Sequence, residues 1–296
     1  MSAFDTQTRT LISRAQLSRR GGRIAYWATV WIMIPLFALV FLFPLYWMLS
    51  GGLKSSQAII QTPPTLFPST FQFSNYTTAW HEMNLGRLLF NTVYYAGGAL
   101  LLQLVFDVAA AYSLSKLRPI MGNAVLFLML ATLMIPSTVL ILPTYLTAIN
   151  LPLLHLNLSN SAWGIWLPTV ANAFNIFLLK RFFDSIPRDL LAAAAIDGAG
   201  PLRALWSVVL PMSRPILGVV SIFAVVNVWK DFLWPLLMLS DRSKQTVNVG
   251  LYTLNSGMPE NVLIASLAIA SIPTILFFLI FQRNIMAGLT AGSLKG

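Results

Sequence analysis

The chain alternates long apolar stretches with short polar or basic ones, and the apolar stretches set the number of elements. Between Arg23 and Lys54 lie thirty consecutive residues without Asp, Glu, Lys or Arg, more than the roughly 20 that a helix needs to cross the hydrocarbon core of a bilayer. This predicts a first membrane helix at 25–49, with Pro35 and Pro44 bending it without ending it, since packed neighbours satisfy freed backbone groups. A second apolar run follows Arg87 and passes through Asn91, Tyr95 and Leu101 to Ser113, interrupted by Asp107. Residues 119–179 carry no charge over 61 positions, too many for one helix at about 1.5 Å per residue and enough for two. The turn formers Asn150, Pro152, His155, Asn157, Ser159 and Asn160 divide this run into helices at 123–146 and 162–182. A fifth helix at 215–239 contains Lys230 and Asp231, and a sixth occupies 262–281. The expected fold is all-α and polytopic, with six transmembrane helices.

Charge then orients the bundle. An even number of crossings puts both termini on one side. Arg9, Arg14, Arg19, Arg20, Arg23, Lys116, Arg118, Lys180, Arg181, Arg188, Arg203, Arg214, Arg283 and Lys295 fall on that side, against Lys54, Arg87, Arg242 and Lys244 on the other. Excess Lys and Arg marks cytoplasmic segments, so both termini are expected in the cytoplasm. The organisation is a basic tail (1–24), a six-helix domain (25–282) with a loop at 184–214, and a C-terminal tail (283–296). The first helix exceeds the 7–15 residue core of a cleaved signal and is expected to remain as an anchor, although Ser50-Gly51-Gly52 resembles a small-residue cleavage site.

Composition excludes several functions. The chain is 57% hydrophobic and only 9% charged, against about 45–50% and about 25% in soluble domains, so the net charge of +10 reads as topology rather than as a nucleic-acid site. There is no cysteine, and His81 and His155 are too few for an imidazole metal cluster. No segment fits a phosphate-binding GxxxxGK[ST] loop, HExxH or GxSxG, and the acids are scattered. Neither catalysis, metal nor a bound cofactor is expected in the chain itself. Transport, signalling and scaffolding remain.

The 184–214 loop has a pattern of its own. Pro187 suits a first helical turn and Asp189 the positive end of its dipole, and Leu190–Ala195 is a strong helix former. Gly198-Ala199-Gly200-Pro201 breaks the helix and restarts another. In the second helix Leu202, Leu205, Trp206 and Val209 form one apolar stripe, which Leu210-Pro211 ends. Such a pair fits a groove on a soluble partner, or lies on lipid headgroups or under its own bundle.

Polar groups within the spans are the other candidates. Lys230 and Asp231 either line a pathway or lie near the outer interface. Asp107 is expected to interact locally, with Lys116, Arg118 or a neighbouring helix. Asn172, Asn175 and Asn227 either bond between helices or face a hydrated cavity. Trp163, Trp166, Trp229 and Trp234 serve as interfacial anchors or as platforms for sugar rings.

The run from Ile186-Pro187-Arg188-Asp189 through Ala192-Ala193-Ala194-Ala195-Ile196-Asp197-Gly198-Ala199, followed by Val208-Val209-Leu210-Pro211, resembles the EAA loop of permease subunits in binding-protein-dependent ATP-binding-cassette importers. Phe67-Pro68, Asn75-Tyr76, Asn91-Thr92, Ala110-Ala111-Tyr112-Ser113-Leu114, Trp229-Lys230-Asp231-Phe232-Leu233-Trp234-Pro235 and Gly288–Gly296 look like the carbohydrate-uptake branch, in particular its maltose-type second permease. The resemblance implies a multi-pass protein of a bacterial or archaeal plasma membrane. Its partners would be a second, homologous permease, two ATPase subunits that hold ATP and magnesium, and an extracytoplasmic solute-binding protein that delivers a sugar. It assigns ATPase coupling to Arg188, Asp189, Ala192, Ala193, Ala194, Asp197, Gly198, Ala199, Leu210 and Pro211, with a second ATPase contact at Gly292, Lys295 and Gly296. The solute path would involve Asn172, Asn175, Asn227, Trp229, Lys230 and Asp231. Three positions depart from the family pattern. Ala192 replaces its glutamate, Ala195 stands where a basic residue is common, and Lys230 replaces its asparagine. The rival readings are a stand-alone ion- or proton-coupled carrier and a scaffold or receptor, the latter distinguished by whether a sugar-sized cavity lies among helices three to five.

Overall fold

The computed structural model describes residues 20–291. Among these, the regular secondary structure is helical, and the one β-contact is an isolated bridge between Leu151 and Leu156. Three helices are long and apolar enough to span a membrane: α1 (Arg20–Gly51), α3 (Leu85–Tyr112, extended by a π-turn to Leu117) and α13 (Glu260–Ala291). Between α1 and α3 lies the short α2 (Ser74–Glu82). As expected, α1 runs unbroken through Pro35 and Pro44.

The middle three spans depart from the straight helices expected. The third is two helices, α4 (Gly122–Thr132) and α5 (Ser137–Ile149), bent by 105°. Pro136 takes an extended ψ of 126° and starts a new turn, with the Val139 N–H donating to its carbonyl, so the chain cannot continue α4. The fourth consists of α6 (Ala162–Trp166), continued by a 3₁₀ turn to Thr169, and α7 (Ala173–Asp184), bent by 49°. Asn172 caps α7 by accepting the Asn175 N–H at 3.1 Å.

Beyond α7 come α8 (Arg188–Ile196), α9 (Pro201–Ala204) and α10 (Arg214–Lys230). The expected fifth helix therefore stops at Lys230 instead of 239. Asp231 is extended, with ψ 133°, and α11 (Leu233–Met238) and α12 (Val247–Leu254) follow as separate short helices. The side chain of Asn248 holds this break open for α10 by donating to the Trp229 carbonyl at 2.9 Å.

Packing fixes which elements share an end. One apolar cluster joins Val108, Ala111 and Tyr112 of α3, Ile176, Leu179 and Phe183 of α7, and Ile216, Val219 and Val220 of α10. Leu205 and Val209 of the loop belong to it. At the other end, Leu85 and Leu88 of α3 pack with Ala79 and Met83, Val247 and Leu251, and Val262 and Ala265. Small residues allow close approach between helices, as is usual in membranes. A Cβ at Gly98 would overlap the indole of Trp166, whose Nε1 donates to the Tyr95 carbonyl at 3.0 Å.

The far end is tied by polar contacts. Asn75 donates to the carbonyls of Gly52 and Lys54, each at 2.9 Å, and accepts from Asn261 at 3.0 Å. Lys54 is buried, its ammonium lying 4.3 Å from the centre of the Trp47 ring and donating to the Thr65 carbonyl. Burial lowers its pKa below the usual lysine value. By contrast, no part of the apolar window of α1 is buried within the chain, and α1 meets the rest through its C-terminal end, where Tyr46 donates to the Leu66 carbonyl at 2.7 Å and Gly51 lies against Ile264.

Candidate functional site

The loop after α7 is built as a rigid projection. α8 starts behind Pro187, with Asp189 in its first turn, and ends in a complete left-handed cap. Gly198 has φ +77° and donates to the Ala195 carbonyl at 3.0 Å, while Ala199 donates to that of Ala194 at 2.8 Å. These are the two hydrogen bonds of a Schellman termination. Pro201 then opens α9, and a π-turn at Leu205–Val209 leads through Leu210–Met212 to α10.

That π-turn explains a correction to the expected stripe. Leu205 and Val209 are buried in the bundle, but Leu202 is 74% and Trp206 70% exposed. The four residues form two adjoining rows, one anchoring the loop and one facing outwards. Each anchoring side chain contributes about 1.5–3 kcal/mol by burial. Ile196 is 87% exposed on α8, so the outward surface combines Ile196, Leu202 and Trp206 with the exposed Arg188, Asp189, Ala192, Ala193, Asp197 and Pro211. Ala194, Ala199 and Leu210 are half-buried behind it.

The projection is pinned by α3 at its start and at the turn between α8 and α9. The Tyr112 hydroxyl donates to the Pro201 carbonyl at 2.9 Å, and Lys116 donates to the Ile186 carbonyl at 3.0 Å. Ser115 donates to Asp184 at 2.7 Å, and Asp184 also pairs with Lys180 at 2.7 Å. These residues were not candidates from the sequence. Polar side chains at the end of an apolar run were the available signal, but their partners lie 69–89 positions away.

The polar groups of the spans separate into two sites. Asp107, fully buried, accepts the backbone N–H of Asn172 at 2.9 Å, and Asn175 donates to Gln103 at 3.4 Å. Asp107 thus acts on a neighbouring helix, at the break between α6 and α7, while Lys116 and Arg118 bond elsewhere. Asn172 and Asn175 belong to this interhelical network.

Lys230 is elsewhere, at the last turn of α10. It borders a cavity of about 650 Å³ that also includes Asn248, Tyr252, Asn255 and Glu260. With Trp229 it borders a second, mostly apolar cavity of about 300 Å³ between α3, α10 and α13. Hollow space of sugar size therefore lies around the second, fifth and sixth spans. Asn227 is exposed on α10. Asp231 accepts from the Trp234 N–H at 3.5 Å, at the start of α11. Trp234 donates to the Gly164 carbonyl at 2.9 Å, and Trp163 and Trp166 stack edge to face at 5.4 Å, so these rings serve packing. Gly292, Lys295 and Gly296 lie outside the described residues.

Comparison with known proteins decides the class. Residues 103–290 match the family described as binding-protein-dependent transport system inner membrane component. The chain belongs to this family. It is a membrane permease component and not an enzyme, which sets aside the stand-alone carrier. The diacetylchitobiose uptake system permease NgcG of Streptomyces coelicolor is 31% identical to it over 89% of this chain and 87% of its own length. The sn-glycerol-3-phosphate permease UgpE of Yersinia enterocolitica is 32% identical over 87% of this chain and 94% of its own. A bacterial ABC transporter that imports the acidic polysaccharide alginate has a chain of the same fold, with TM-score 0.78, 26% identity and coverage of 90% and 98%. The loop at 184–214 and the larger cavity beside Lys230 are inside the matched family region, whereas Val93, Ala96 and Gly97 of the smaller cavity precede it.

Proposed function

We propose that this permease pairs with a second, homologous permease to form the path of an ATP-driven importer for a sugar or sugar-like solute. ATP and magnesium are held by two separate ATPase subunits, and an extracytoplasmic binding protein delivers the solute. The observation that carries this reading is the projection at 188–211. It is anchored through Leu205 and Val209, pinned before its first helix by Lys116 and between its two helices by Tyr112, and exposes Ile196, Leu202 and Trp206 outwards. A surface exposing Ile196, Leu202 and Trp206 next to Arg188 and Arg203 is poorly suited to water and well suited to a partner's groove.

The unpacked α1 supports a second permease, because a membrane helix with no buried window in its own chain is free to pack on a neighbour. The distribution of Lys and Arg supports cytoplasmic termini, which puts the projection on the ATPase side. Gly292, Lys295 and Gly296 of the C-terminal tail are proposed as the second ATPase contact. Diacetylchitobiose and glycerol 3-phosphate, named for two relatives, are both small polyhydroxylated solutes.

The test is purification of the tagged chain from its native membrane in mild detergent, with mass spectrometry of what accompanies it. An ATPase, a second permease and a solute-binding protein are expected. Recovery of the chain alone, stable and monodisperse, would overturn the proposal.

A further inference from the structure

Lys230 is placed unlike the other lysines among the described residues. It is the last residue of α10, it is exposed, and it borders both cavities at once. Among the described residues its ammonium has no hydrogen bond to protein and no ion pair, whereas Lys54, Lys116, Lys180 and Lys244 are all engaged. Asp231, its neighbour in sequence, is extended and bonded to the start of α11. A lysine ammonium is a strongly hydrated point charge, so an unengaged one between two hollows keeps its water until a ligand anion replaces it.

The two cavities differ in a way that assigns the charge a direction. The larger carries Glu260 as well as Lys230, with Asn248, Asn255 and Tyr252 as hydrogen-bonding groups and Phe232 packed edge-on to Tyr252 at 5.2 Å. The smaller has Lys230 as its one ionisable residue, among Val93, Val225, Pro273 and Phe277. Glu260 lies in the first turn of α13, where the helix dipole favours a carboxylate. Lys230 thus borders both the hollow that carries hydrogen-bonding groups and the almost wholly apolar one, where an opposite charge gains from partial exclusion of water.

We propose that Lys230 is the anion-binding residue of the path, and that the imported solute carries a carboxylate, sulfonate or phosphate group as well as hydroxyls. The inference rests on the importer reading and narrows its substrate class.

The absence of cysteine allows a direct test in the purified complex in proteoliposomes. Thr274→Cys places one thiol in the smaller cavity, and Asn255→Cys independently places one in the larger. The rate of alkylation by the uncharged reagent N-ethylmaleimide is measured with and without glucuronate, glycerol 3-phosphate or glucose. Glucuronate or glycerol 3-phosphate is expected to slow alkylation about fivefold or more at concentrations where glucose does not. Lys230→Gln should abolish the protection and Lys230→Arg retain it. In a separate reaction without N-ethylmaleimide or solute, the anionic sulfonatoethyl thiosulfonate should modify the thiol of Thr274→Cys about tenfold faster when Lys230 is present than in Lys230→Gln, the scale set by one charge pair in a partly hydrated cleft. Protection that is equal for glucose and the anions, absent for all three, or unaffected by Lys230→Gln overturns the proposal. ATP hydrolysis stimulated by the binding protein, measured on the same preparations, reports whether the importer reading itself holds, so the two failures are distinguishable.

Discussion

Gly198 sets the angle between the two arms of the projection, and its substitution isolates that angle from everything else. At φ +77° a residue with a Cβ is disfavoured, by about 1–2 kcal/mol for an ordinary side chain. Nothing lies within 4 Å of the place where a Cβ would go, so Gly198→Ala introduces backbone strain without a clash. Gly198→Val adds a branched side chain at positive φ and exceeds that range. Gly198→Pro fixes φ near −65° and deletes the N–H that donates to Ala195, at a cost on the order of 3 kcal/mol. Gly198→Asn, tolerant of this conformation, should be the mildest. One or two kcal/mol changes the population of the correct turn by roughly 5–30-fold. The buried anchor at Leu205 and Val209 stays intact throughout. The assay is the number of ATP molecules hydrolysed per solute imported by the assembled complex in proteoliposomes. That ratio should rise in the order Asn, Ala, Val, Pro, with the permease still in the membrane at wild-type level. A Gly198→Pro complex that couples as tightly as wild type would refute the lever.

Four further predictions test separate contacts. Tyr112→Phe removes only the hydroxyl that pins Pro201, so stability falls by about 0.5–1.5 kcal/mol in a thermal unfolding series, and uptake falls more than ATP hydrolysis. Gly98→Ala pushes the Trp166 ring out of place and should cost about 1–3 kcal/mol, seen as lower yield and an earlier transition in detergent. Asp107→Asn keeps an oxygen for the Asn172 N–H and should retain uptake across pH, whereas Asp107→Ala leaves that donor unpaired at about 1–3 kcal/mol; loss of uptake in Asp107→Asn with normal yield would point to a proton-carrying role instead. Ala192 is exposed, so Ala192→Glu should leave the unfolding temperature of the permease in place, and any change should appear in ATPase retention on size exclusion.

Much of this was legible in the sequence because a bilayer makes hydropathy decisive. The thirty uncharged residues before Lys54 and the run from Arg87 to Ser113 became α1 and α3. The turn at Gly198 was legible because glycine followed by Gly200-Pro201 after an alanine-rich helix admits few other conformations. The bends were not. Pro35 and Pro136 look alike in a hydropathy profile, yet α1 continues through the first and the chain turns by 105° around the second. Mean apolarity does not encode direction. Nor does it encode partners: Tyr112 and Pro201 are 89 positions apart, and only the packing of α3 against α7 and α10 brings them together. The cavities beside Lys230 were missed for a related reason, since they follow from α10 ending at Lys230 and not at residue 239.

The ending of α10 at Lys230 links the two sites mechanically. From Arg214, directly beyond the projection, to Lys230 at the cavities runs a single helix of 17 residues, about 25 Å long at the usual rise. It is packed to α3 at both ends: Ile216, Val219 and Val220 share a cluster with Val108 and Ala111, and Val228 shares another with Tyr95, Ala96 and Ala99. Close-packed interiors transmit displacement and do not absorb it. On the proposed reading, ATPase movement at Ile196, Leu202 and Trp206 is passed through the Leu205–Val209 anchor to the start of α10. The α3–α10 pair then carries it as one body to the wall of the solute cavity. α3 reaches further still, since Thr92 accepts the Val247 N–H at 2.9 Å and Tyr95 donates to the Lys244 carbonyl at 2.9 Å. α3 therefore also holds the segment between α11 and α12, on the face where, on this reading, a binding protein would release its solute.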